Sequence, residues 1–238
     1  MITGIIVALP EELTTLTTKK IAKGSFLYIT ENILVIYSGA GSVNAATAAN
    51  LLIANGATRL ISWGCAAALA MTLKPGDLIL ADKLIDAESI EHIIDMDWHG
   101  HAKKTLSVIM TVKTGYLIDS VGIVSSSEEK KQIHAKTGAV ALDMESTAIA
   151  QVAKFHSIPV LAIRVIADPV SMSLPKAIKN SLNSQGEVVM PKLLFFILLR
   201  PSELPGLIKL GMHFSAAKKT LRSIAKQLDQ VTNFCDFE

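Results

Sequence analysis

The chain has 238 residues, of which half are hydrophobic and 18% are charged, and its formal net charge is +2. This length suits one α/β domain with a sizeable core, and the near balance of charge gives no sign of nucleic-acid binding. The mean hydropathy of +0.42 is high for a soluble protein. Either much of the chain is therefore buried, or part of it meets a membrane.

Two cysteines, Cys65 and Cys235, lie far apart in the sequence. Their number and spacing predict neither a disulfide framework nor a metal site, and they suit a reducing cytoplasm. The first residues lack the basic segment of a secretory signal, and apolar runs such as 193–199 are too short to span a bilayer. We therefore expect a cytoplasmic protein, with contact at a membrane surface left open.

Apolar runs of strand length recur along the first 170 residues. They are mostly continuous rather than alternating, which is typical of strands covered on both faces. The runs are Ile5–Leu9, Ile33–Tyr37, Leu60–Trp63, Leu78–Ala81, Val121–Val124, Val140–Leu142 and Val160–Val165. Helical patterns lie between several of them, at Val43–Ala54 and Glu145–Phe155. This order predicts an α/β fold, a three-layer α/β/α sandwich with a central mixed β-sheet.

The character of the sequence changes at about residue 170. Ser, Asn, Gly and Pro without a clear period predict a loop. Two helices are then expected, Pro191–Leu199 and Leu207–Gln230, in a segment where residues 191–226 hold seven Lys or Arg and one acid. We expect a single domain over 1–238, with a core at 1–170 and a loop and amphipathic C-terminal helices at 171–238.

Acidic residues stand at the ends of several predicted elements. Asp143 and Glu145 lie where a strand runs into a helix, Asp168 ends a strand, and Glu12 follows the first strand. A carboxylate at a strand end beside a cleft can act as a general base on water. Acids just after Pro10 also suit the first turn of a helix, so the local sequence leaves both interpretations of Glu12 open.

Two stretches of small residues could border a ligand. The turn at 38–46 places backbone amides at the start of a helix, where an anion or a hydroxyl could bind, but it lacks the spacing of a dinucleotide-binding turn. Small side chains at 64–68 leave room either for a ligand or for close packing of a helix on the sheet. His99 and His101 look like part of a polar loop without a metal partner, so no metal site is expected.

Five motifs occur in the order found in the purine nucleoside phosphorylase and nucleosidase superfamily. They are PEE at 10–12, SGAG at 38–41, GCAAAL at 64–69 with LKPGD at 73–77, DMESTA at 143–148 and RVIAD at 164–168. Each motif is modest, but the ordered set is specific. The activity type that it most closely resembles is that of the methylthioadenosine/S-adenosylhomocysteine nucleosidases.

The resemblance implies a role for each motif in cleaving a nucleoside. Glu145 would bind the ribose hydroxyls, and Met144 would pack on the sugar face. Asp168 would lie near N7 of adenine and donate a proton as the base leaves. Glu12 would activate water, and Arg164 would orient the water or Glu12. Further substrate-binding residues would be Ala40, Cys65, Ala66 and Ala67.

Several features depart from the nucleosidase pattern. Cys65 and Ala167 each stand where the nucleosidases carry Ser, and the segment 124–128 is shorter than the loop that contacts the base. No arginine precedes Arg59, whereas a phosphate site needs positive charge or several donors. The acids at 11 and 12 would repel phosphate. Water is therefore favoured over phosphate as the nucleophile, with a phosphorylase as the alternative.

The C-terminal part resembles a narrower branch, the hopanoid-associated nucleoside phosphorylase-like proteins. The resemblance rests on DP at 168–169, SLP at 173–175, MP at 190–191, LRP at 199–201 and LP at 204–205. It implies hydrolysis of adenosylhopane to adenine and ribosylhopane. The apolar run at 193–199 and the basic segment after it could supply an apolar channel and peripheral membrane contact, or could pack on the core or in a dimer interface.

Other functions remain open beside adenosylhopane hydrolysis. They are a salvage methylthioadenosine/S-adenosylhomocysteine nucleosidase, a phosphate-dependent phosphorylase, and a non-catalytic module that binds a nucleoside or carries a lipid. The resemblance implies a small nucleoside substrate with an apolar 5′ substituent, no cofactor and no nucleic-acid partner. It also implies a homo-oligomer, with a dimer favoured.

Overall fold

Among the residues that the structure describes, nine strands form a mixed β-sheet at the centre of the protein. The computed structural model describes residues 1–120, 122–181 and 190–234. The strands are β1 (Thr3–Val7), β2 (Phe26–Thr30), β3 (Ile33–Tyr37), β4 (Arg59–Ala68), β5 (Leu78–Ile85), β6 (Glu91–Ile93), β7 (Val112–Asp119), β8 (Ala141–Asp143) and β9 (Val160–Asp168). The helices are α1 (Pro10–Leu13), α2 (Ser42–Ala54), α3 (Met96–Ser107), α4 (Ser127–Thr137), α5 (Ser146–Phe155), α6 (Lys176–Asn180), α7 (Met190–Leu199), α8 (Leu204–Ala225) and α9 (Leu228–Thr232).

Strands β4 and β9 bring distant parts of the chain together. They run parallel to each other, and β9 also pairs with β5 in the antiparallel sense. The end of β4 pairs with β8, β8 with β7, and β7 with β5, so these five strands close on one another in a ring. Ala67 on β4 lies opposite both Leu142 on β8 and Asp168 on β9. The ends of three strands therefore meet at one place.

Helices cover both faces of the sheet. One apolar cluster packs α2 and α5 on the sheet, with Ile149 fully buried. A second cluster packs α3 and α8, with Trp98 fully buried. Successive strand residues point to opposite faces, and Ile5 and Ile6 accordingly fall in different clusters. The predicted three-layer sandwich with a central mixed sheet and a C-terminal helical segment is confirmed.

The predicted strand at Val121–Val124 is wrong. Residues 122–124 form a loop, and position 121 lies outside the described residues. The strand of this region is β7, which ends before the predicted run begins. Most residues of β7 are only partly buried, so its sequence lacks the continuous apolar run that marks the buried strands.

The two histidines assigned to a polar loop lie on helix α3 instead. Asp95 caps this helix, because its side chain accepts a hydrogen bond from the Trp98 amide at 2.7 Å. His99 is buried, and burial lowers its pKa. The polar residues of this segment form the exposed face of an amphipathic helix, which explains why the sequence looks like a loop.

The C-terminal part follows the prediction incompletely. Helix α6 interrupts the expected loop, and residues 182–189 of that loop lie outside the described residues. Helix α7 agrees with the predicted one. The second predicted helix, Leu207–Gln230, is divided into α8, which begins earlier, and α9. Leu221 on α8 is buried in the second cluster. The single-domain organisation over 1–238 stays a prediction.

Candidate active site

A cavity of about 280 Å³ opens where strands β1, β4, β8 and β9 end. Eight of the nine predicted site residues line it, namely Glu12, Ala40, Cys65, Ala66, Ala67, Met144, Glu145 and Asp168. The ninth, Arg164, is buried beside them and lies close to two acids of the lining, Asp143 and Glu145. Residues from five separate motifs therefore come together around one space.

Glu12 is held between its own helix and strand β4. It occupies the third position of α1, where its Oε2 accepts a hydrogen bond from the Leu9 amide at 3.1 Å. Its Oε1 accepts one from the Cys65 amide at 2.7 Å. Burial raises the pKa of Glu12 to about 7, although nearby Arg164 lowers it. Glu12 thus caps a helix and can also exchange a proton near neutral pH.

Arg164 is a fully buried cation on β9 that faces two acids. Its Nε lies 2.7 Å from Asp143 Oδ2, and its Nη2 lies 3.7 Å from Glu145 Oε2. Its Nη2 also donates to the Ser62 hydroxyl oxygen at 2.6 Å. Burial acts to lower the pKa of Arg164, but the surrounding acids hold it above its usual value. Arg164 therefore stays charged and balances the buried carboxylates.

Gly64 on β4 leaves the space in which Glu12 and Arg164 approach each other. A Cβ atom at this position would lie 2.6 Å from Glu12 Oε1 and 2.7 Å from Arg164 Nη1. These distances are shorter than any ordinary contact. The glycine of the third motif is thus required by close approach of two site residues.

Asp143 positions other residues of the site. Its Oδ1 accepts hydrogen bonds from the amides of Glu145 at 3.2 Å and Ser146 at 3.1 Å. Its Oδ2 pairs with Arg164 and accepts a short hydrogen bond from the Ser146 hydroxyl. Both oxygens are engaged by the protein. Asp143 therefore anchors the start of α5 and links it to β9.

Glu145 is placed by the starts of two helices. It precedes the first residue of α5, and its Oε1 accepts a hydrogen bond from the Gly41 amide at 2.9 Å. Gly41 precedes α2 and has a φ of 94°, a conformation that favours glycine. Burial raises the pKa of Glu145 and Arg164 opposes this shift. Its Oε2 makes only a 3.4 Å contact with the Met144 amide and the longer one with Arg164, and can accept a ligand hydroxyl.

Asp168 ends β9 and pairs with a residue that the sequence did not single out. The Nζ of Lys130, on α4, lies 2.6 Å from Asp168 Oδ2. Burial raises the pKa of Asp168, and Lys130 acts in the opposite direction. A carboxyl group with a raised pKa can hold a proton for transfer to a ligand.

The amino-acid sequence agrees with a known family over most of its length. A family profile described as "Phosphorylase superfamily" matches residues 3–187. The chain belongs to the phosphorylase superfamily. The recognition made from the ordered motifs is therefore confirmed at the level of the superfamily, and the hopanoid branch stays a prediction.

One sequence relative of this chain and two solved structures with a similar fold are nucleosidases or hydrolases by name. The chain is 29% identical over 194 residues to a Staphylococcus aureus 5′-methylthioadenosine/S-adenosylhomocysteine nucleosidase, covering 69% of this chain and 85% of the relative. Its fold is similar to that of futalosine hydrolase from Helicobacter pylori, with a TM-score of 0.70, 19% identity and 97% coverage of both chains. It is also similar to the H. pylori methylthioadenosine/S-adenosylhomocysteine nucleosidase with a bound immucillin, with a TM-score of 0.69, 21% identity and 97% coverage of both chains.

Sequence reasoning missed several residues of the cavity wall. They are Ala8, Leu9, Gly122, Ile123, Leu142, Leu174, Leu210 and Phe214, whereas Val124, Asp143 and Ala167 stand out in the sequence but were given no role in binding. Leu210 and Phe214 lie four residues apart on α8, a spacing that puts them on one helical face. This spacing is visible in the sequence, but it does not reveal which part of the protein the face meets.

No metal centre accompanies this site in the described part of the chain. Among residues 1–120, 122–181 and 190–234, no group of three or more His, Cys, Asp or Glu could hold a metal ion. Cys65 borders the cavity, and burial and Glu12 raise the pKa of its thiol. A thiol in these surroundings stays protonated and is a weak nucleophile.

Proposed function

We propose that this protein is an N-ribosyl hydrolase that cleaves the N-glycosidic bond of a 5′-substituted adenosine. The leading substrate is adenosylhopane, which gives adenine and ribosylhopane in hopanoid biosynthesis. The observation that carries the hydrolase is one cavity bordered by Glu12, Glu145 and Asp168, three buried carboxyl groups whose pKa values are raised. The superfamily match and the nucleosidase names of the relatives support the same reaction class.

The three carboxyl groups divide the work of hydrolysis. Ionised Glu12 takes a proton from water, and the water oxygen forms a new bond to C1′ of the ribose. The bond from C1′ to the base breaks, and Asp168 donates its proton to N7, so adenine leaves as a neutral molecule. Glu145 accepts hydrogen bonds from the ribose hydroxyls and holds the sugar as positive charge develops. Proton exchange with solvent then restores Glu12 and Asp168.

The charges around the cavity favour water over phosphate as the nucleophile. Two buried cations next to the cavity are already engaged, Arg164 with Asp143 and Lys130 with Asp168. A phosphate dianion would also meet the carboxyl groups of Glu12 and Glu145, which would repel it. A phosphate-dependent phosphorylase would need a further cation, such as Lys218, whose Nζ lies 5.8 Å from the ring centre of the cavity residue Phe214.

One part of the cavity wall suits an apolar 5′ substituent. Leu174, Leu210 and Phe214 line it, and none of these side chains can bind a polar group. A charged amino-acid tail would find no partner on these side chains, whereas a hydrocarbon would be buried favourably. The choice of a hopanoid rests on the C-terminal sequence resemblance.

The C-terminal helices expose an apolar surface, which we call the C-terminal apolar patch. It consists of Leu194, Phe195, Leu198, Leu199, Leu204, Ile208 and Met212, which are 41% to 80% exposed. Lys192, Arg200 and Lys209 lie in the same segment. Apolar side chains beside basic ones suit the surface of an anionic bilayer. We assign the patch to peripheral contact with the cytoplasmic face of the membrane, where a lipid substrate would be found.

A membrane-spanning segment is not found in the described part of the chain. None of its helices combines the length and apolar character needed to cross a bilayer. The homo-oligomer, with a dimer favoured, stays a prediction. In such an oligomer the C-terminal apolar patch would be a candidate for the interface between subunits.

The alternative is a salvage nucleosidase of the methylthioadenosine/S-adenosylhomocysteine type. The 29% identity with the S. aureus enzyme favours it, because that similarity covers 85% of a curated nucleosidase. Both proposals use the same carboxyl groups and release adenine. They differ only in the 5′ substituent.

Measurement of base release tests the reaction and its substrate. Purified protein is incubated with adenosine, methylthioadenosine, adenosylhomocysteine or adenosylhopane in detergent, with and without phosphate, and free adenine and the sugar product are quantified. We expect adenine and ribosylhopane from adenosylhopane, unaffected by phosphate. Faster cleavage of methylthioadenosine would make the salvage nucleosidase the correct function. A sugar 1-phosphate that forms only with phosphate would establish a phosphorylase, and nucleoside binding without base release would establish a non-catalytic module.

The assigned roles predict that Asp168→Asn and Glu145→Gln each reduce kcat by about a hundredfold or more, because each removes a group that acts on the substrate. Both substitutions keep the side-chain volume, so the folded structure should survive, as checked by circular dichroism. Asp97→Asn and Glu129→Gln, at exposed positions, are the matched controls and should keep full activity. Near-normal turnover by both site variants would overturn the assignment.

A further inference from the structure

Lys130 is a fully buried lysine on the first turn of α4, and it has no role in the proposed reaction as described above. Lysines are almost never fully buried unless they are paired. The start of a helix also favours acidic side chains, and the neighbours Glu128 and Glu129 follow this preference. A cation here is therefore unfavourable in two respects. Its contacts must compensate for both.

The ammonium group of Lys130 has a partner for each of its three protons. Its Nζ lies 2.6 Å from Asp168 Oδ2, and it donates to the carbonyl oxygens of Met172 at 2.9 Å and Pro169 at 3.3 Å. An ammonium group has three N–H donors and no acceptor, and all three partners here are acceptors. This arrangement fits the charged form of Lys130 and fixes its direction.

The pairing makes the two oxygens of Asp168 unequal. Oδ2 faces Lys130, whereas Oδ1 is buried and has no hydrogen-bond partner among the described residues. An oxygen that faces an ammonium group must accept a hydrogen bond and cannot carry a proton toward it. When Asp168 is protonated, its proton therefore lies on Oδ1. Asp168 itself borders the cavity.

We propose that Lys130 is a positioning residue that directs the proton of Asp168 to Oδ1 and stabilises the carboxylate that remains after proton transfer. This inference rests on the proposed function, in which Asp168 protonates the leaving base. Before the step, a neutral acid faces the cation. After the O–H bond of Asp168 breaks and the N–H bond of the base forms, a carboxylate and an ammonium group are paired. Attraction within that pair is strengthened because Lys130 is fully buried.

The other charged groups of the cavity do not share this task. Burial raises the pKa of Asp168, and Lys130 is the charged group that lowers it. Glu12, Glu145 and Arg164 interact with one another instead. Lys130 therefore balances the effect of burial, so that Asp168 holds a proton and can still release it.

Lys130 also holds the loop that follows β9, and an experiment must separate the two effects. Besides the carbonyl contacts of Lys130, the Leu174 amide donates to the Ser125 carbonyl at 2.8 Å. The Ser127 amide donates to the Ser173 hydroxyl oxygen at 3.1 Å. Leu174 lines the cavity, so a displaced loop would weaken substrate binding and raise KM. A lost proton donor would instead lower kcat and change its pH dependence.

The test compares Lys130→Met and Lys130→Gln with Lys131→Met, the same change at the exposed next position. The pH dependence of kcat and KM for adenine release is measured with the substrate that wild-type protein cleaves best. We expect kcat of both Lys130 variants to fall by about tenfold or more, with KM changed by less than about threefold. The alkaline limb of the kcat profile, where the acid ionises, should move up by about one pH unit, because Asp168 then binds its proton more tightly.

An alkaline limb that stays at the wild-type pH in both Lys130 variants would overturn the proposal, and so would a loss confined to KM. A direct measurement does not depend on turnover. The carboxyl group of Asp168 is titrated by carbon-13 NMR in the wild-type protein and in each variant. Its pKa should rise when the cation is removed, and an unchanged pKa would overturn the proposal. Wild-type protein that releases no base would contradict the proposed function, while this titration would still decide the role of Lys130.

Discussion

At the residue scale, the surroundings of each carboxyl group give it a different character. Asp143 has both oxygens engaged by Arg164, by Ser146 and by backbone amides, so it is structural. Glu145 has one oxygen held by an amide and the other only weakly bound. Asp168 has one oxygen on a cation and the other without a partner among the described residues. The number of bonds already made decides what each can offer to a ligand.

Glu12 should make the folded protein less stable as the pH rises. Its pKa is raised from 4.5 to about 7 in the folded state, so the folded protein binds this proton more tightly than the unfolded chain. Stability from this group is complete below about pH 4.5 and is lost as the pH rises through about 7. The variant Glu12→Gln stays neutral throughout. Its free energy of unfolding should therefore rise relative to wild type between about pH 5 and about pH 8.

Urea unfolding at several pH values measures this difference, with the exposed neighbour variant Glu11→Gln as the control. Glu12→Gln should also lose base release, whereas wild-type activity should increase as Glu12 ionises near pH 7. A stability difference between variant and wild type that does not change with pH would contradict the assignment of the raised pKa to Glu12.

At the element scale, the end of β4 leaves space for a ligand and also holds Glu12 in place. Gly64, Cys65, Ala66 and Ala67 combine small side chains with the Cys65 amide that holds Glu12. Small residues at 64–68 suit both a ligand and tight packing, and the structure uses them for both purposes. Ala68 is fully buried in the core, whereas 65–67 border the cavity.

The variant Gly64→Ala should lose activity because its Cβ would lie within 2.7 Å of Glu12 and Arg164 atoms. A shift of about 1 Å in a reacting group can reduce kcat by about a hundredfold. The measurement is the rate of adenine release from the substrate that wild-type protein cleaves best. The control is Gly100→Ala on α3, where a Cβ meets no atom within 4 Å. The control should keep full activity, and full activity of Gly64→Ala would show that the space at position 64 is not needed.

At the scale of the whole molecule, the C-terminal helices combine two surfaces. Leu221 and Ile224 on α8 are buried in the core, while Leu210 and Phe214 reach the cavity. The C-terminal apolar patch on α7 and the start of α8 remains exposed. The proposed substrate cavity and the proposed membrane contact are therefore joined through one helix.

The membrane proposal predicts cosedimentation with vesicles that contain an anionic lipid, and weaker binding to vesicles of neutral lipid. Phe195→Glu and Leu198→Glu should each reduce binding by about tenfold or more, because each removes apolar contact and adds repulsion. Val108→Glu, at a position 83% exposed on another part of the surface, is the control and should bind normally. Loss of a dimer by the patch variants, with no vesicle binding by wild type, would assign the patch to a protein interface instead.

The sequence by itself determined the fold class and singled out the acids that are proposed to act on the substrate. Continuous apolar runs at strand length mark buried strands, and five ordered motifs carry Glu12, Glu145 and Asp168. These features are local or depend only on order along the chain. The predictions failed at the polar helix α3 and at β7, because partly buried elements lack a clear apolar pattern.

Only the tertiary structure decided the role of Lys130 and the composition of the cavity wall. In the sequence Lys130 is one cation in the run EEKK, where an exposed helix face would be expected. Its partners, Asp168 to Met172, lie about forty residues later and meet it through packing of α4 beside the end of β9. Burial and pairing depend on contacts between distant residues, so no local pattern along the chain specifies them.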